Sequence, residues 1–588
     1  MNTRVPNRRA ISRRSVVRGS LLGVAGLAGA SLLGCGDEDE SAGATNGSGS
    51  TGGTSTSTDG SMSAPTGEPQ AGGIYRNGVR GDPPSLDPYA TGSSDTKTAA
   101  GYVYNRLMRI DAQPGENPFD RELVTDLAES IETEDGQRWV VKLRQDAKFH
   151  NVPPVDGRAM TMDDVMFSYQ RLAAPESVNA AAVEEVASVE AADDYTIVFN
   201  LDAPSPIFPE RLADGNNLWI QPVEADGGFD PAVTQIGTGP FILQDYQVSS
   251  KMTYLRNPDY FESGIPYLDG VDVLIIPEYA NAKAQMQAGN IDSLVVAADD
   301  VIELREAHAD WYWQDALTGG VRHLYFSSEE NSPGAPWLDE RYRRAISMAM
   351  DRDAQMEVGY NVSALQAAGL PASTAWQNLV SVTLGRWWLD PQSSEHGESG
   401  SYFALNMDES RKLLDAVGAI GTDLPFITIA GDRYGVRYRR ISEMSTQAWT
   451  DLGLNVIQQP EDYDAVYFPQ TRAGEFHGLA FGGAPAYPDP SGTVDRHFGP
   501  TNSNASKVRD PEIEELRQAQ ALEFDRETRI SIFHDIQRLN AEMMYYVPTQ
   551  DNAGTSYTAY QGNVRDVRLT RGYGSVNEVI ARLWLANA

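Results

Sequence analysis

The stretch Leu127 to Arg171, LAESIETEDGQRWVVKLRQDAKFHNVPPVDGRAMTMDDVMFSYQR, constrains the fold of this chain more than any other. A polar turn, Glu134-Asp135-Gly136, separates two apolar runs. The second run, Trp139 to Leu143, carries the aromatic and β-branched residues of a half-buried strand. Phe149-His150 leads through a Pro- and Gly-bearing loop to Thr161-Met162-Asp163-Asp164. There Thr161 is placed to cap a helix whose first turn puts two carboxylates at the positive end of its dipole. Val165, Met166, Tyr169 and Leu172 give that helix one apolar face.

The letters of this block resemble the signature region of the family 5 extracellular solute-binding proteins, the dipeptide-, oligopeptide- and nickel-binding receptors of ABC importers. The pieces that carry the resemblance are Leu127-Ala128-Glu129-Ser130, Lys148-Phe149-His150 and Thr161 to Ser168, in that order and spacing. Further likenesses follow along the chain. They are Gly72-Gly73 opening a strand, Ser85-Leu86-Asp87-Pro88, Gly237-Thr238-Gly239-Pro240-Phe241, Arg256-Asn257-Pro258 and Gly289-Asn290-Ile291-Asp292. Tyr102, Tyr104 and Leu107 read as one helix, and Asp194 to Leu201 as a strand. Asp339 to Met350, Asp408 to Val417, Asp510 to Leu522 and Asp525 to Tyr545 read as capped helices.

Residues 1–35 read as an export address. Arg8, Arg9, Arg13, Arg14 and Arg18 precede an apolar run, Leu21 to Leu33, shorter than the ~20 residues of a membrane span. Leu32-Leu33-Gly34-Cys35 resembles a bacterial lipobox, which implies a lipid on the Cys35 thiol. The arginine pair at 13 and 14 resembles a twin-arginine signal, with ordinary Sec export as the alternative. Cys35 is the one cysteine, so no internal disulfide is available. Residues 36–71 are rich in Gly, Ser and Thr and read as a disordered tether reaching roughly 30 Å root-mean-square.

Roughly 515 residues remain, too many for one core, so at least two lobes are expected. The resemblance implies an α/β, two-lobed, periplasmic-binding-protein-like fold with mixed sheets, a subdomain inserted in lobe I and a hinge of two strands. Lobe I would take 72–112, 236–325 and 552–588, with the inserted subdomain at 113–235 and lobe II at 326–551. The formal charge of −35 makes nucleic acid and anionic lipid surfaces poor partners and reads first as a solubilising surface. A weak long-range bias toward cationic ligands follows from the same charge.

Catalytic signatures are missing from the sequence. It holds no G-x-x-x-x-G-K-[ST] loop, no G-x-S-x-G elbow and no HExxH pair, and its seven His residues are scattered. His477 reads as structural rather than as a metal ligand, and neither a cofactor nor a metal is called for. The resemblance implies ligand contacts at Asp82, Pro83 and Pro84, before the Ser85 turn. It also implies a cleft wall within Arg472 to Pro490, with Arg472, Phe481, Gly482, Gly483, Ala484, Tyr487 and Asp489 as candidates. Tyr104 and Trp376 join them as aromatic candidates. Peptide receptors of the family pair the peptide amine with an Asp that here aligns with Ala486, so simple peptides should bind weakly.

The leading expectation is an extracytoplasmic, lipid-anchored, monomeric receptor. It binds a peptide-like or other small to medium solute and serves an ABC permease and, through it, ATPase subunits. A sensor module for a signalling partner and an extracytoplasmic hydrolase are the alternatives.

Overall fold

The structure, a computed structural model, describes residues 67–112, 123–317, 319–484, 487–500, 504–569 and 576–587. Cys35, nearly all of the tether and Ala486 lie outside the described residues.

Two mixed sheets organise the molecule. A seven-stranded sheet runs in the order Tyr312–Leu317, Thr555–Tyr560, Ser293–Val296, Ile74–Val79, Gly270–Ile275, Lys251–Arg256 and Phe241–Gln247. A five-stranded sheet runs Asn455–Glu461, Asp423–Ile429, Leu479–Ala484, Val321–Phe326 and Tyr546–Pro548. The chain crosses between them twice, from Tyr312–Leu317 into Val321–Phe326 and from Tyr546–Pro548 into Thr555–Tyr560. Those crossings are the two-stranded hinge of a two-lobed fold, and each lobe has its own core.

The stretch 127–171 folds as its pattern requires. Arg138–Leu143 buries alternate residues, Trp139, Val141 and Leu143, and pairs antiparallel with Ala128–Thr133 and Thr196–Leu201 in a four-stranded sheet. This sheet shares one continuous core with the first lobe, which makes it an inserted subdomain. Thr161 and Asp164 form a reciprocal capping box on the helix Met162–Ala173. Arg158 then holds the buried Asp164 carboxylate through both oxygens at 2.6 and 2.8 Å.

His150 joins two distant likenesses. Its backbone N–H donates to the Gly237 carbonyl at 2.8 Å, and its ring Nε2 lies 3.0 Å from the Gly239 carbonyl. Gly239 N–H in turn donates to the Val103 carbonyl at 2.7 Å. That contact explains one departure from the sequence reading. The helix expected through Leu107 is Ser94–Val103, with Tyr104 as an extended C-cap. A side chain on Gly237 would sit 2.1 Å from the Val103 carbonyl, so the glycine turn packs against the helix end and the chain must leave there. It does so to pin Asp126, whose carboxylate accepts from Asn105 Nδ2 and the Arg106 N–H at 3.0 Å each.

A second departure is smaller. Asp194 and Tyr195 form the turn before the strand Thr196–Leu201. The helices capped by Asp339, Asp510 and Asp525 stand where their punctuation puts them, as Glu340–Met348, Pro511–Leu522 and Arg526–Met543. No helix among the described residues is long and apolar enough to cross a membrane.

Candidate functional site

In the second lobe Asp423–Ile429 pairs in parallel with both Asn455–Glu461 and Leu479–Ala484. Ligands in open sheets gather at the carboxyl ends of such strands, where loops leave the sheet. Here those ends deliver Arg433 and Tyr434, then Tyr463, then Gly483 and Ala484. Arg322 joins them because the antiparallel strand Val321–Phe326 sets it opposite Gly483. From the first lobe come Gly92, Ser94 and Asp95, the last two in the first turn of the helix Ser94–Val103. Together they wall a cavity of about 180 Å³ between the lobes.

Its electrostatics run against the charge of the whole chain. Arg322, Arg433, Arg472 and Arg496 line the cavity with a single carboxylate, Asp95. Arg433 reaches Asp95 at 2.6 Å and lies 4.2 Å over the Tyr463 ring. Arg322 pairs with the fully buried Asp551, which also takes Arg437 at 2.6 Å, and stacks 4.0 Å over Tyr434. Burial works to raise the Asp551 carboxyl, but the two guanidinium groups outweigh it and hold the group below the usual carboxylate range. Burial pushes Asp95 up in spite of Arg433.

Arg472 differs from the other arginines. It is only 6% exposed, lies 4.9 Å over the Tyr325 ring, and its Nη2 has no hydrogen-bond partner. Among the described residues neither Arg472 nor Arg496 forms an ion pair with a carboxylate. No cluster of three or more His, Cys, Asp or Glu among the described residues could hold a metal ion.

The residues singled out from the sequence separate into groups. Arg472, Gly483 and Ala484 line the cavity. Tyr487 and Asp489 line a smaller one of about 70 Å³ that shares Arg496. Asp489 caps the helix Pro490–Phe498, and both its oxygens bond Arg529 at 2.6 and 2.9 Å. Burial would raise its carboxyl, yet Arg529 holds it down at about 2. Asp82 sits at the rim, its carbonyl accepting from Arg433 at 3.4 Å and its carboxylate from the Tyr246 hydroxyl at 2.9 Å.

The remainder face elsewhere. Phe481 stacks on Tyr438 in the core with centroids 4.3 Å apart, and Gly482 lies against Tyr467. Tyr104 is buried in the first-lobe core, and Trp376 donates from Nε1 to Asp353 at 2.8 Å. Pro83 is buried, Pro84 is exposed, and neither lines the cavity. His477 takes a structural place, with Nδ1 2.7 Å from the Ser332 hydroxyl and its ring edge-on to Trp337. The sequence reading missed Asp95, Arg322, Arg433, Tyr434, Tyr463 and Arg496. Arg433 and Tyr434 follow the strand Asp423–Ile429 and Tyr463 follows Asn455–Glu461, but the parallel pairing that brings those ends together is not written in their letters.

A larger cavity, about 320 Å³, lies on the hinge side of Tyr434, lined by Arg80, Tyr279, Asp299, Arg437 and Arg440 among others. Its guanidinium groups are already engaged: Arg440 with Asp299 at 2.7 Å, Arg437 with Asp551, and Arg80 with the Asp432 carbonyl at 3.0 Å. The smaller cavity, where Arg472 and Arg496 meet no carboxylate among the described residues, is therefore the better ligand site.

The family profile described as bacterial extracellular solute-binding proteins, family 5 middle, matches residues 122–505. Heme-binding protein A of Haemophilus influenzae is 24% identical over 483 residues, which cover 77% of this chain and 82% of that protein. The oligopeptide-binding protein AppA of Bacillus subtilis, solved with a nonapeptide, superposes with a TM-score of 0.73 at 20% identity, covering 88% of this chain and 100% of its own. AgaA from A. tumefaciens R10, solved with agropinic acid, gives the same TM-score at 19% identity, covering 88% and 99%.

Proposed function

The chain belongs to family 5 of the bacterial extracellular solute-binding proteins, and on that premise we propose that it is the lipid-anchored solute receptor of an ABC importer. It closes its lobes on a small solute outside the cytoplasm and presents the closed form to a membrane permease. The observation that carries this reading is the cavity walled by both lobes, with the described chain crossing between them at the two hinge strands. Hinge closure over a ligand is the motion such a build permits.

Size favours a small cargo. About 180 Å³ compares with the ~150 Å³ cavity that takes up benzene, and an extended peptide needs several times more. Structural relatives hold cargoes as different as a nonapeptide and agropinic acid, so the family alone does not choose. The lipobox-like Leu32-Leu33-Gly34-Cys35 supports the anchored form, and Cys35→Ala should move the protein from the membrane fraction to the soluble fraction.

The test is direct. Denaturing mass spectrometry identifies the solute released from purified protein. Returned to emptied protein, that solute should shrink the radius of gyration in solution scattering. A shift from 1:99 to 99:1 closed needs about 5.5 kcal/mol of preference for the closed state. An unchanged scattering profile at saturation would refute the closing receptor.

A further inference from the structure

Resting on that receptor reading, we propose that the cavity is built for a small solute carrying at least two negative charges, held by Arg322, Arg433, Arg472 and Arg496. A chain with a formal charge of −35 gathers four guanidinium groups around one cavity and admits one carboxylate to its lining. That carboxylate, Asp95, is already bonded by Arg433 at 2.6 Å, and Arg322 is paired with Asp551 behind the wall, which leaves the two charges of Arg472 and Arg496 for a guest.

Arg472 is the decisive residue. A guanidinium is never deprotonated in a protein, and an ionised group taken from water without a counter-charge is costly. Arg472 is more than nine-tenths buried and borders the cavity. It faces the Tyr325 ring at 4.9 Å, keeps Nη2 without a partner, and meets no carboxylate among the described residues. Such a group is retained where a second state of the molecule pairs it. Arginine's planar fork matches carboxylate and phosphate oxygens through two parallel bonds.

Two features prepare the site in advance. Arg322 and Arg433 are stacked on Tyr434 and Tyr463 at 4.0 and 4.2 Å, which fixes their forks before a ligand arrives. The helix Ser94–Val103 also directs its first turn at the cavity, so its positive dipole end adds to the same field. The negative exterior does not forbid this, because charges beyond about 8 Å are screened at physiological salt.

Carboxylates and phosphate-type groups share the required chemistry, and the test separates them. Calorimetry at constant ionic strength on emptied, full-length protein would use citrate and succinate as one arm and inorganic phosphate and glycerol phosphate as the other. Glucose, a neutral dipeptide and putrescine represent the other charge classes. One anionic arm should bind, and Arg472→Gln and Arg496→Gln should each weaken it at least tenfold. Arg538→Gln, at an exposed pair with Asp535, should leave it unchanged. Emptied Arg472→Gln should melt no lower than the parent, since it removes an unpaired buried charge.

The proposal is overturned if the solute released from the native protein is neutral or cationic at pH 7. It is equally overturned if Arg472→Gln and Arg496→Gln both bind the anion as the parent does. In either case lobe closure with the released solute would leave the receptor reading standing, whereas the absence of closure with any solute removes both.

Discussion

His150 is fully buried, and the geometry around its ring assigns its protons. Nε2 faces the Gly239 carbonyl at 3.0 Å and so carries the hydrogen, while Nδ1 faces the Gly237 N–H at 3.5 Å and accepts. A second proton on Nδ1 would set two donors against each other. Burial, partly offset by the Gly239 carbonyl, lowers its pKa to about 4 from 6.5. Between those values the unfolded chain binds the proton and the folded chain does not. Stability from this residue is therefore complete above pH 6.5 and falls as pH drops toward 4, by about 1.4 kcal/mol per unit. Buried His323, at about 3, acts in the same direction, whereas the buried carboxyls of Asp126 and Glu578, both raised, act in the opposite one. A variant isolates the residue from that background. In urea unfolding the advantage of the parent over His150→Gln should shrink by roughly 2 kcal/mol from pH 7 to pH 5. An advantage that does not change with pH would mean that the folded protein protonates His150 as readily as the unfolded chain.

Among the elements, the strand Leu479–Ala484 makes opposite demands of two adjacent glycines. At Gly482 a methyl group would sit 1.7 Å from the Tyr467 hydroxyl, which donates to the Phe481 carbonyl at 3.0 Å. At Gly483 the nearest atoms lie 3.5 Å away, an ordinary contact, and the residue borders the cavity. Gly482→Ala should therefore cost about 1–3 kcal/mol through overpacking. Gly483→Ala should hold or slightly raise the melting temperature while weakening solute binding. Equal losses of stability at the two positions would remove the distinction. The same strand shows what the sequence could disclose. Its glycines were legible as candidates for the cleft wall, but the sequence could not say that Gly482 approaches a tyrosine and Gly483 the cavity, since that depends on which neighbours the sheet supplies. The helix Glu340–Met348 was legible because Asp339 caps it and its stripe repeats at helical spacing. The helix Ser94–Val103 was read too long because a glycine turn more than 130 residues away closes its end. Arg322, Arg433 and Arg496 carry no local pattern, and only the order of strands in the second lobe brings them together.

At the scale of the whole molecule, charges on long side chains bridge the lobes beside an apolar cluster that packs Leu365 with first-lobe Val296 and Trp311. Arg433 reaches Asp95 from across the cleft, Arg440 reaches Asp299 at 2.7 Å, Arg517 reaches Glu184 at 3.1 Å and Arg211 reaches Asp495 at 3.6 Å. Each joins an element of the second lobe to the first lobe or its insert. Of these only Arg440–Asp299 is exposed on both sides, and such a pair contributes only ~0.2–1 kcal/mol and weakens with salt. The pair Arg440–Asp299 allows a clean test, since it borders the hinge-side cavity rather than the arginine-lined one. Asp299→Asn leaves every residue of the ligand cavity in place and weakens only the closed state. If the open form dominates without solute, the loss passes directly into affinity. Calorimetry with the released solute should then give a dissociation constant about 1.4- to 5-fold higher for Asp299→Asn, the factor that ~0.2–1 kcal/mol represents. Raising sodium chloride should narrow the gap between the two proteins as the parent pair is screened. An unchanged constant at low salt would show that closure draws nothing from this contact.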